Sequence, residues 1–257
     1  MGDMTISYQL YSSRKFGPLP RTLRMLADAG YGAVEGHGAL YRSEDEAKSL
    51  RLQLDDAGLA MPTGHFPLDL VEGDPDRAIA MARALGIGTV YVPFLMPGAR
   101  PSDAEGWRAL AVRLAEAGKP LRDAGLGYGW HNHDFELRPT PDGAVPMELI
   151  LEAGDLDWEM DVAWVVRGGG DPMDWIDRFG PRIRAVHVKD IAPEGEKADE
   201  DGWADPGTGT MDWAALAARL SQLDVAHWVM EHDNPSDDAR FARAAMGAAR
   251  RIEGMPG

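Results

Sequence analysis

The sequence has no cysteine among its 257 residues. Disulfide bonds, thiolate metal sites and a cysteine nucleophile are therefore all excluded. Long apolar runs are also missing, and the longest fall far short of the ~20 residues that a membrane-spanning helix needs. The segment Met1–Ser13 has neither the basic stretch nor the apolar stretch of a secretory signal. These absences predict a cytoplasmic protein that has no membrane partner.

Positive charge is scarce in this chain. It carries 26 Lys and Arg against 42 Asp and Glu, which gives a formal net charge of −16 at pH 7. The arginines are scattered, usually beside acidic residues, and they form no basic stripe. Because a field of this sign repels the phosphates of a duplex, we expect no nucleic-acid partner.

The glycine-rich fingerprint of a dinucleotide site, Gly-x-Gly-x-x-Gly, is absent after the first predicted strand. The segment Gly207-Thr208-Gly209 lacks the strand–turn–helix context of that fingerprint, and we interpret it as a loop. This absence disfavours a doubly wound open sheet that binds a dinucleotide.

The chain alternates short β-like runs with longer amphipathic helical patterns. The predicted strands are Thr5–Tyr11, Ala33–Glu35, Ala60–His65, Thr89–Pro93, Gly127–His131, Leu156–Asp161, Ile183–Val188 and Ala226–Glu231. The predicted helices are Pro18–Ala29, Glu44–Ala57, Pro75–Leu85, one around Trp107–Leu114, Pro146–Ala153, Asp171–Phe179, Trp213–Leu223 and Phe241–Ile252. Eight such units in about 250 residues match a (β/α)₈ barrel. The sequence therefore predicts an α/β fold, a single TIM-barrel domain over residues 1–257.

Ionisable residues are concentrated where the predicted strands end. They are Glu35, His65, His131, His133, Glu136, Asp161, His187, Lys189 and Glu231. Strands of a parallel barrel are buried on both faces, so a charge within one is costly unless it is paired or bound to a metal. One terminal acid alone is commonly a helix N-cap, and one histidine alone is commonly a hydrogen-bonded structural residue. Because several strands end in this way, we interpret the set as a site at the C-terminal end of the barrel.

Four of these residues make a candidate metal site. Glu136, Asp161, His187 and Glu231 supply three carboxylates and one imidazole from four successive strands. This mixture suits Mn²⁺, Mg²⁺, Co²⁺ or Zn²⁺, and Mn²⁺ is the first choice because oxygen ligands dominate while one imidazole remains.

The ligand that the fifth strand contributes stays open. His131 lies nearer to the predicted strand end than Glu136, and strand parity places His131 and His133 on the same face. Either histidine is an alternative to Glu136 as a ligand, or a proton carrier. Lys189 has the parity of His187 and is expected to face the site, although a solvated pair with Asp190 is equally compatible with the spacing.

Six segments carry a resemblance to a known family. They are Tyr8-Gln9-Leu10-Tyr11, Val34-Glu35-Gly36, His131-Asn132-His133-Asp134-Phe135-Glu136, Asp161-Val162-Ala163-Trp164, Val186-His187-Val188-Lys189-Asp190 and Glu231. In this order they resemble the sugar phosphate isomerase/epimerase family of the xylose isomerase-like TIM-barrel superfamily, over roughly residues 5 to 252. The resemblance implies a divalent metal at Glu136, Asp161, His187 and Glu231. It also implies proton transfer by the two glutamates of that set.

The sequence departs from two subgroups of that family. It has His-Asn-His where ketose epimerases carry a glutamate at the strand end. It also has Asp161-Val162-Ala163-Trp164 where inosose dehydratases tend to carry Asp-x-Gly-His. We expect Trp164, together with Glu35, His65 and Lys189, to contact the substrate.

The function predicted from these residues is that of a metal-dependent isomerase or epimerase. It would abstract a proton next to a carbonyl of a sugar or cyclitol, with His131, His133, Glu136 and Glu231 in proton transfer. A lyase or dehydratase that eliminates a group β to the carbonyl shares the first step. A non-catalytic sugar-binding or partner subunit is the alternative from another class. The acidity of residues 190–201 favours a neutral substrate over a phosphorylated one, and the oligomeric state, a homo-oligomer included, stays open.

Overall fold

The computed structural model describes residues 5–153 and 155–252, and these form ten β-strands and eleven α-helices. The strands are β1 (Thr5–Gln9), β2 (Ala33–Gly36), β3 (Ala60–His65), β4 (Thr89–Val92), β5 (Gly127–His131), β6 (Asp157–Asp161), β7 (Ile183–Val188), β8 (Asp190–Ile191), β9 (Trp203–Ala204) and β10 (His227–Met230). The helices are α1 (Leu19–Ala29), α2 (Glu44–Ala57), α3 (Leu68–Gly73), α4 (Pro75–Leu85), α5 (Ala104–Ala117), α6 (Lys119–Asp123), α7 (Pro146–Glu152), α8 (Val162–Arg167), α9 (Pro172–Phe179), α10 (Trp213–Leu220) and α11 (Asp238–Ala249).

Eight of the strands close into a barrel. Their order around it is β1-β10-β7-β6-β5-β4-β3-β2, and the neighbouring strands pair in parallel. The predicted (β/α)₈ barrel is confirmed, and each predicted strand is present with ends within two residues of those expected. The remaining strands, β8 and β9, form a separate antiparallel pair after β7. The ends of the predicted domain, residues 1–4 and 253–257, lie outside the described residues.

Strand alternation sends apolar residues towards the helices and polar residues into the barrel. On β6, Trp158 packs edge-on against Trp175 of α9 with ring centres 6.0 Å apart. Its neighbours along the strand, Glu159 and Asp161, are equally buried but meet side chains from other strands. This two-residue period follows from the pleat of a strand. The hydrophobic core therefore lies between barrel and helices, and the barrel interior is free to carry ionisable groups.

Helix boundaries follow local capping rules. Ser43 accepts a hydrogen bond from Glu46 N–H at the start of α2, and Asp103 does the same for Gly106 at the start of α5. Within residues 5–153 and 155–252, none of the helices has both the length and the apolarity that a membrane crossing requires.

Candidate metal and substrate site

Four side chains meet at the C-terminal mouth of the barrel. His131 ends β5, Asp161 ends β6, His187 lies in β7 and Glu231 directly follows β10. Each offers one ligand atom, and the four atoms lie within 4.8 Å of one another in buried surroundings. We call these four residues the mouth cluster. Two imidazoles and two carboxylates are a donor set that Zn²⁺, Co²⁺ or Mn²⁺ accepts, so the residues fit a divalent ion.

Asp161 is both a helix cap and a member of this cluster. Its Oδ1 accepts a hydrogen bond from Trp164 N–H at 2.9 Å and so begins α8. Its Oδ2 is buried without a hydrogen bond from any described residue, although the Lys189 ammonium lies 3.2 Å away. Buried polar atoms are rarely left without a partner. The second oxygen is therefore available to a cation.

A second layer of charged groups lies within the barrel beside the mouth cluster. It consists of Glu35 from β2, His65 from β3 and Glu159 from β6, and we call it the inner cluster. His65 Nε2 lies 2.6 Å from Glu159 Oε2 and 3.2 Å from Glu35 Oε1. Glu35 and Glu159 have no exposed surface. These short contacts fix the His65 ring, while Glu35 Oε2 and Glu159 Oε1 accept no hydrogen bond from any described residue.

Glu136 belongs to neither cluster, which corrects its predicted place as a metal ligand and proton carrier. The chain turns after β5, and the Glu136 carboxylate points back to Trp130 Nε1 at 3.0 Å and to His133 N–H at 2.9 Å. Burial raises the pKa of this carboxyl to about 8. Both of its oxygens accept hydrogen bonds that close the turn. The residue from β5 in the mouth cluster is His131.

Asn132 explains why two histidines of the segment face the site while the residue between them does not. Its Oδ1 accepts hydrogen bonds from Trp158 Nε1 and from Asp161 N–H, both at 2.9 Å. Its amide donates to the Asp161 carbonyl at 3.2 Å. Asn132 thus ties the end of β5 to the end of β6. It sets the spacing between His131 and Asp161.

An open pocket of about 620 Å³ lies over the mouth cluster. It is lined by Tyr11, Arg14, His37, Gly38, His65, Pro93, Phe94, His131, His133, Trp164, Arg167, Asp201, Trp203, Glu231 and Asp233. His133 and Trp164 lie with ring centres 5.4 Å apart, and Trp164 meets Trp203 at 4.8 Å. Aromatic walls with a few polar groups are typical of a small-molecule site.

Of the four residues predicted to contact the substrate, the structure brings two to the pocket. His65 and Trp164 line it, whereas Glu35 and Lys189 do not. Lys189 Nζ is held by Asp233 at 2.7 Å and by Asp161 and Glu231 at 3.2 Å. Burial opposes its charge, but these carboxylates outweigh burial and raise the pKa of Lys189 above its ordinary value. Lys189 is therefore a buried ammonium that offsets the negative charge of the mouth cluster.

Of the seven histidines, four lie in or beside the mouth cluster, and these divide into two charged and two neutral rings. Burial lowers the pKa of His187 and His65, but the negative charges of the surrounding glutamates have the larger effect. As a result, the pKa of His187 is well above its ordinary value and that of His65 is about 10. Burial lowers the pKa of His131 well below its ordinary value and that of His133 to about 3. His131 and His133 therefore offer free lone pairs at neutral pH.

Sequence reasoning missed several residues that the structure brings to the site. Glu159 was readable from the pleat, because it precedes Asp161 by two residues and so shares its face. Asp233 lies two residues after Glu231 and is held through Lys189. The acidic stretch 190–201 contributes only Asp201 to the pocket, while Arg14 and Arg167 also line it. The acidic stretch is therefore a weak reason to favour a neutral substrate, although Glu231 and Asp233 add two further acidic groups to the pocket.

Comparisons with known proteins agree with this fold. The family described as xylose isomerase-like TIM barrel matches residues 23–252. The rhizopine catabolism protein MocC of Rhizobium meliloti is 23% identical over 262 residues, which cover 90% of this chain and 79% of that protein. The inosose dehydratase of Geobacillus kaustophilus is 23% identical over 143 residues, 51% of this chain. That match spans 46%, about half, of the dehydratase.

Solved structures show the same architecture. A sugar phosphate isomerase/epimerase from Parabacteroides distasonis superposes with a TM-score of 0.82 at 20% identity, over 99% of this chain and 96% of that one. A Mycobacterium smegmatis protein in complex with magnesium gives 0.75 at 17% identity, over 100% of both chains. The IolI protein with a bound zinc atom gives 0.73 at 15% identity, over 97% of this chain and 96% of that one.

A closed eight-stranded parallel barrel, ionisable residues at the ends of its strands and a family match over residues 23–252 lead to one conclusion. The chain belongs to the xylose isomerase-like TIM-barrel family.

Proposed function

We propose that the chain is a divalent-metal-dependent isomerase or epimerase, which removes and returns a proton next to the carbonyl of a keto-sugar or keto-cyclitol. The observation that carries this proposal is the mouth cluster, whose four ligand atoms lie within 4.8 Å of one another. Two of its members, His131 and Glu231, also line the pocket. Barrel enzymes place their chemistry at this end of the strands.

His131, Asp161, His187 and Glu231 would hold the ion. Their two nitrogen and two oxygen donors are richer in imidazole than the set expected from the sequence, because His131 replaces Glu136. Imidazole favours Zn²⁺ and Co²⁺ more than it favours Mn²⁺ or Mg²⁺. We therefore place Zn²⁺ and Co²⁺ beside Mn²⁺ as the ions to test first.

An ion at this position would polarise a substrate carbonyl and acidify the neighbouring carbon-bound proton. His133 and Glu231 line the pocket from β5 and β10, which two strands separate in the barrel order. One would take the proton from one face of the substrate, and the other would return a proton to the opposite face after taking it up from solvent. Burial lowers the pKa of His133 to about 3, so its ring is neutral at pH 7 and is assigned to proton removal.

The remaining pocket residues bind and orient the substrate. The aromatic wall of Phe94, Trp164 and Trp203 suits the C–H face of a sugar or cyclitol ring. His65 reaches the pocket with a ring that Glu35 and Glu159 keep protonated, so it donates hydrogen bonds to substrate oxygens.

A lyase or dehydratase is the second candidate. It shares proton removal, and the outcome differs only when a leaving group lies β to the carbonyl. The relatives named inosose dehydratase favour this candidate, although each match covers about half of the relative. A non-catalytic binding subunit is disfavoured because the chain retains a complete donor set in the mouth cluster.

Solvent-deuterium exchange tests the proposal. The chelator-treated protein is loaded in turn with Mn²⁺, Zn²⁺, Co²⁺ and Mg²⁺ and incubated in D₂O with a panel of keto-sugars and keto-cyclitols. We expect at least one substrate or its epimer to gain one deuterium at the carbon next to the carbonyl. The metal-free protein and a His187→Ala variant should show no exchange. An unsaturated product would establish the lyase instead, and no exchange with any loaded form would contradict both.

A further inference from the structure

We propose that Glu35 is a positioning residue, which keeps the ring hydrogen of His187 on Nε2 and so leaves Nδ1 free for the ion. The inference rests on the proposed metal site and assigns a role to a carboxylate that does not line the pocket.

His187 lies between two carboxylates on opposite sides of its ring. Nδ1 is 2.7 Å from Glu231 Oε2, a member of the mouth cluster, and Nε2 is 2.8 Å from Glu35 Oε1. His187 and Glu35 are completely buried. An imidazole that uses one nitrogen for a metal carries its hydrogen on the other, and the partner of that hydrogen decides which nitrogen is free.

Glu35 is held so that it acts as an acceptor. Gln9 Nε2 donates to Glu35 Oε1 at 2.7 Å. The orientation of the Gln9 amide is fixed in turn, because its oxygen accepts Tyr11 N–H at 3.1 Å. The Glu35 oxygen that faces His187 thus already accepts from Gln9, and a carboxylate has no hydrogen to donate.

A carboxylate at position 35 accepts Nε2–H and excludes the tautomer with hydrogen only on Nδ1. A glutamine would not change this, because its amide oxygen can still accept from Gln9 and from Nε2–H. A leucine at the same position offers no acceptor. Glu231 then favours hydrogen on Nδ1, the nitrogen that the ion needs.

A second set of ligand atoms, from His65, His131, Glu159 and His187, also lies within 4.8 Å of one another. This set shares His131 and His187 with the mouth cluster, so the two sets are alternative positions for one ion. The mouth cluster is the favoured position because its Glu231 lines the pocket, whereas Glu159 does not. We therefore expect one ion per chain, with the inner cluster acting through the histidine rings.

The test compares Glu35→Leu with the parent and with Glu200→Leu, a matched control at a buried glutamate that pairs with Ser236 and Arg240 away from the mouth cluster. Zn²⁺ and Mn²⁺ affinity and stoichiometry are measured by calorimetry, and the His187 ring nitrogens are followed by nitrogen-15 NMR with Zn²⁺ bound. We expect one ion in the parent, with zinc on Nδ1 and hydrogen on Nε2. Glu35→Leu should weaken metal binding about 10- to 100-fold and lower the population of that tautomer. Glu200→Leu should change neither.

If Glu35→Leu fails to fold, Gln9→Ala keeps the carboxylate but removes its anchor, and a smaller loss of affinity in the same direction is expected. Parent-like affinity and tautomer in both variants would overturn the inference and leave the metal site standing. Zinc on Nε2 would overturn it as well, and so would two ions per chain. A parent that binds no ion would overturn the proposed function together with the inference.

Discussion

At the scale of single residues, the ligand from β5 decides what kind of site this is. Glu136 was the expected ligand, but its oxygens accept Trp130 Nε1–H and His133 N–H. His131 ends the strand and brings a neutral ring to within 4.8 Å of the other three ligand atoms. An imidazole in this place removes one negative charge from the donor set and favours borderline ions over hard ones.

We predict that substitutions at His131 and at Glu136 have different effects on metal affinity. His131→Ala should weaken Zn²⁺ and Mn²⁺ binding by at least about 10-fold, because an ion held by four protein groups loses one. Glu136→Gln should bind both ions with parent affinity, since its side chain faces away from the ion. Calorimetric titration of both variants checks this. The reverse order of effects would restore Glu136 as the ligand.

The charge on the His187 ring predicts that metal binding releases a proton. Burial opposes protonation, but Glu159, Glu231 and Glu35 outweigh it and raise the pKa of the ring, so metal-free His187 is an imidazolium at neutral pH. An ion that binds Nδ1 must displace its hydrogen, so binding releases about one proton. Affinity therefore rises with pH up to the raised pKa and falls as the pH is lowered.

Calorimetry in buffers of different ionisation enthalpy measures this release directly. The observed heat should change with the buffer in proportion to the protons released. Heats that do not depend on the buffer at pH 7 would mean that the ring is already neutral before the ion arrives.

At the scale of elements, one buried carboxylate fixes the loop that precedes α10. Asp190 accepts four backbone hydrogen bonds, from Ile191 and Met211 on Oδ1 and from Gly207 and Gly209 on Oδ2. A Cβ on Gly209 would collide with that carboxylate, so only glycine allows the approach. The loop inferred from Gly207-Thr208-Gly209 is thus a backbone cradle around Asp190.

We predict that Asp190→Asn lowers the free energy of unfolding by about 2 kcal/mol or more, because an amide leaves two buried N–H groups without an acceptor. Asp212→Asn is the control, since Asp212 caps α10 through a single exposed hydrogen bond to Ala215. That change should cost about 1 kcal/mol or less. Urea unfolding of both variants provides the comparison, and equal losses would contradict the cradle.

The sequence was sufficient to predict the elements that have a strong periodic pattern. It was not sufficient to predict the short helices. Strands β3, β5 and β7 have the predicted bounds because apolar runs and turn residues mark them. Helices α3, α6 and α8 were missed, and they have only five or six residues, too few for a helical period. The end of α10 at Leu220 instead of Leu223 is a boundary difference of the same local kind.

Within the site, the sequence predicted which residues at strand ends face the barrel mouth. It did not predict the direction of a side chain that lies in the turn after a strand. Asp161 and His187 lie in strands, and Glu231 directly follows one, so strand parity predicts the face of each. Glu136 lies in a turn, and only tertiary contacts to Trp130 and His133 decide where its carboxylate points. The role of Lys189 depended on Asp233, a partner 44 residues away that no spacing rule connects to it.

At the scale of the whole molecule, a net negative charge is combined with buried carboxylates that a bound cation would stabilise. The chain carries −16. The carboxylates of Glu35, Glu159, Asp161 and Glu231 lie buried in the barrel and at its mouth, with Asp233 half-buried beside Lys189. Lys189 and the protonated rings of His65 and His187 offset part of this negative charge. Buried like charges raise one another's energy unless cations offset them. Binding of a divalent ion should therefore stabilise the entire barrel, not only the site.

The most direct test of this account is the thermal unfolding of the chelator-treated protein with and without added ion. At about 100 times the dissociation constant, a native-state ligand adds about 2.7 kcal/mol, which for a chain of this size raises Tm by roughly 5–10 °C. We predict such a rise with at least one of Mn²⁺, Zn²⁺, Co²⁺ and Mg²⁺. It should largely vanish in His187→Ala and in Asp161→Asn, which retains the oxygen that caps α8. A parent protein whose Tm is indifferent to all four ions would contradict the metal site and the mechanism built on it.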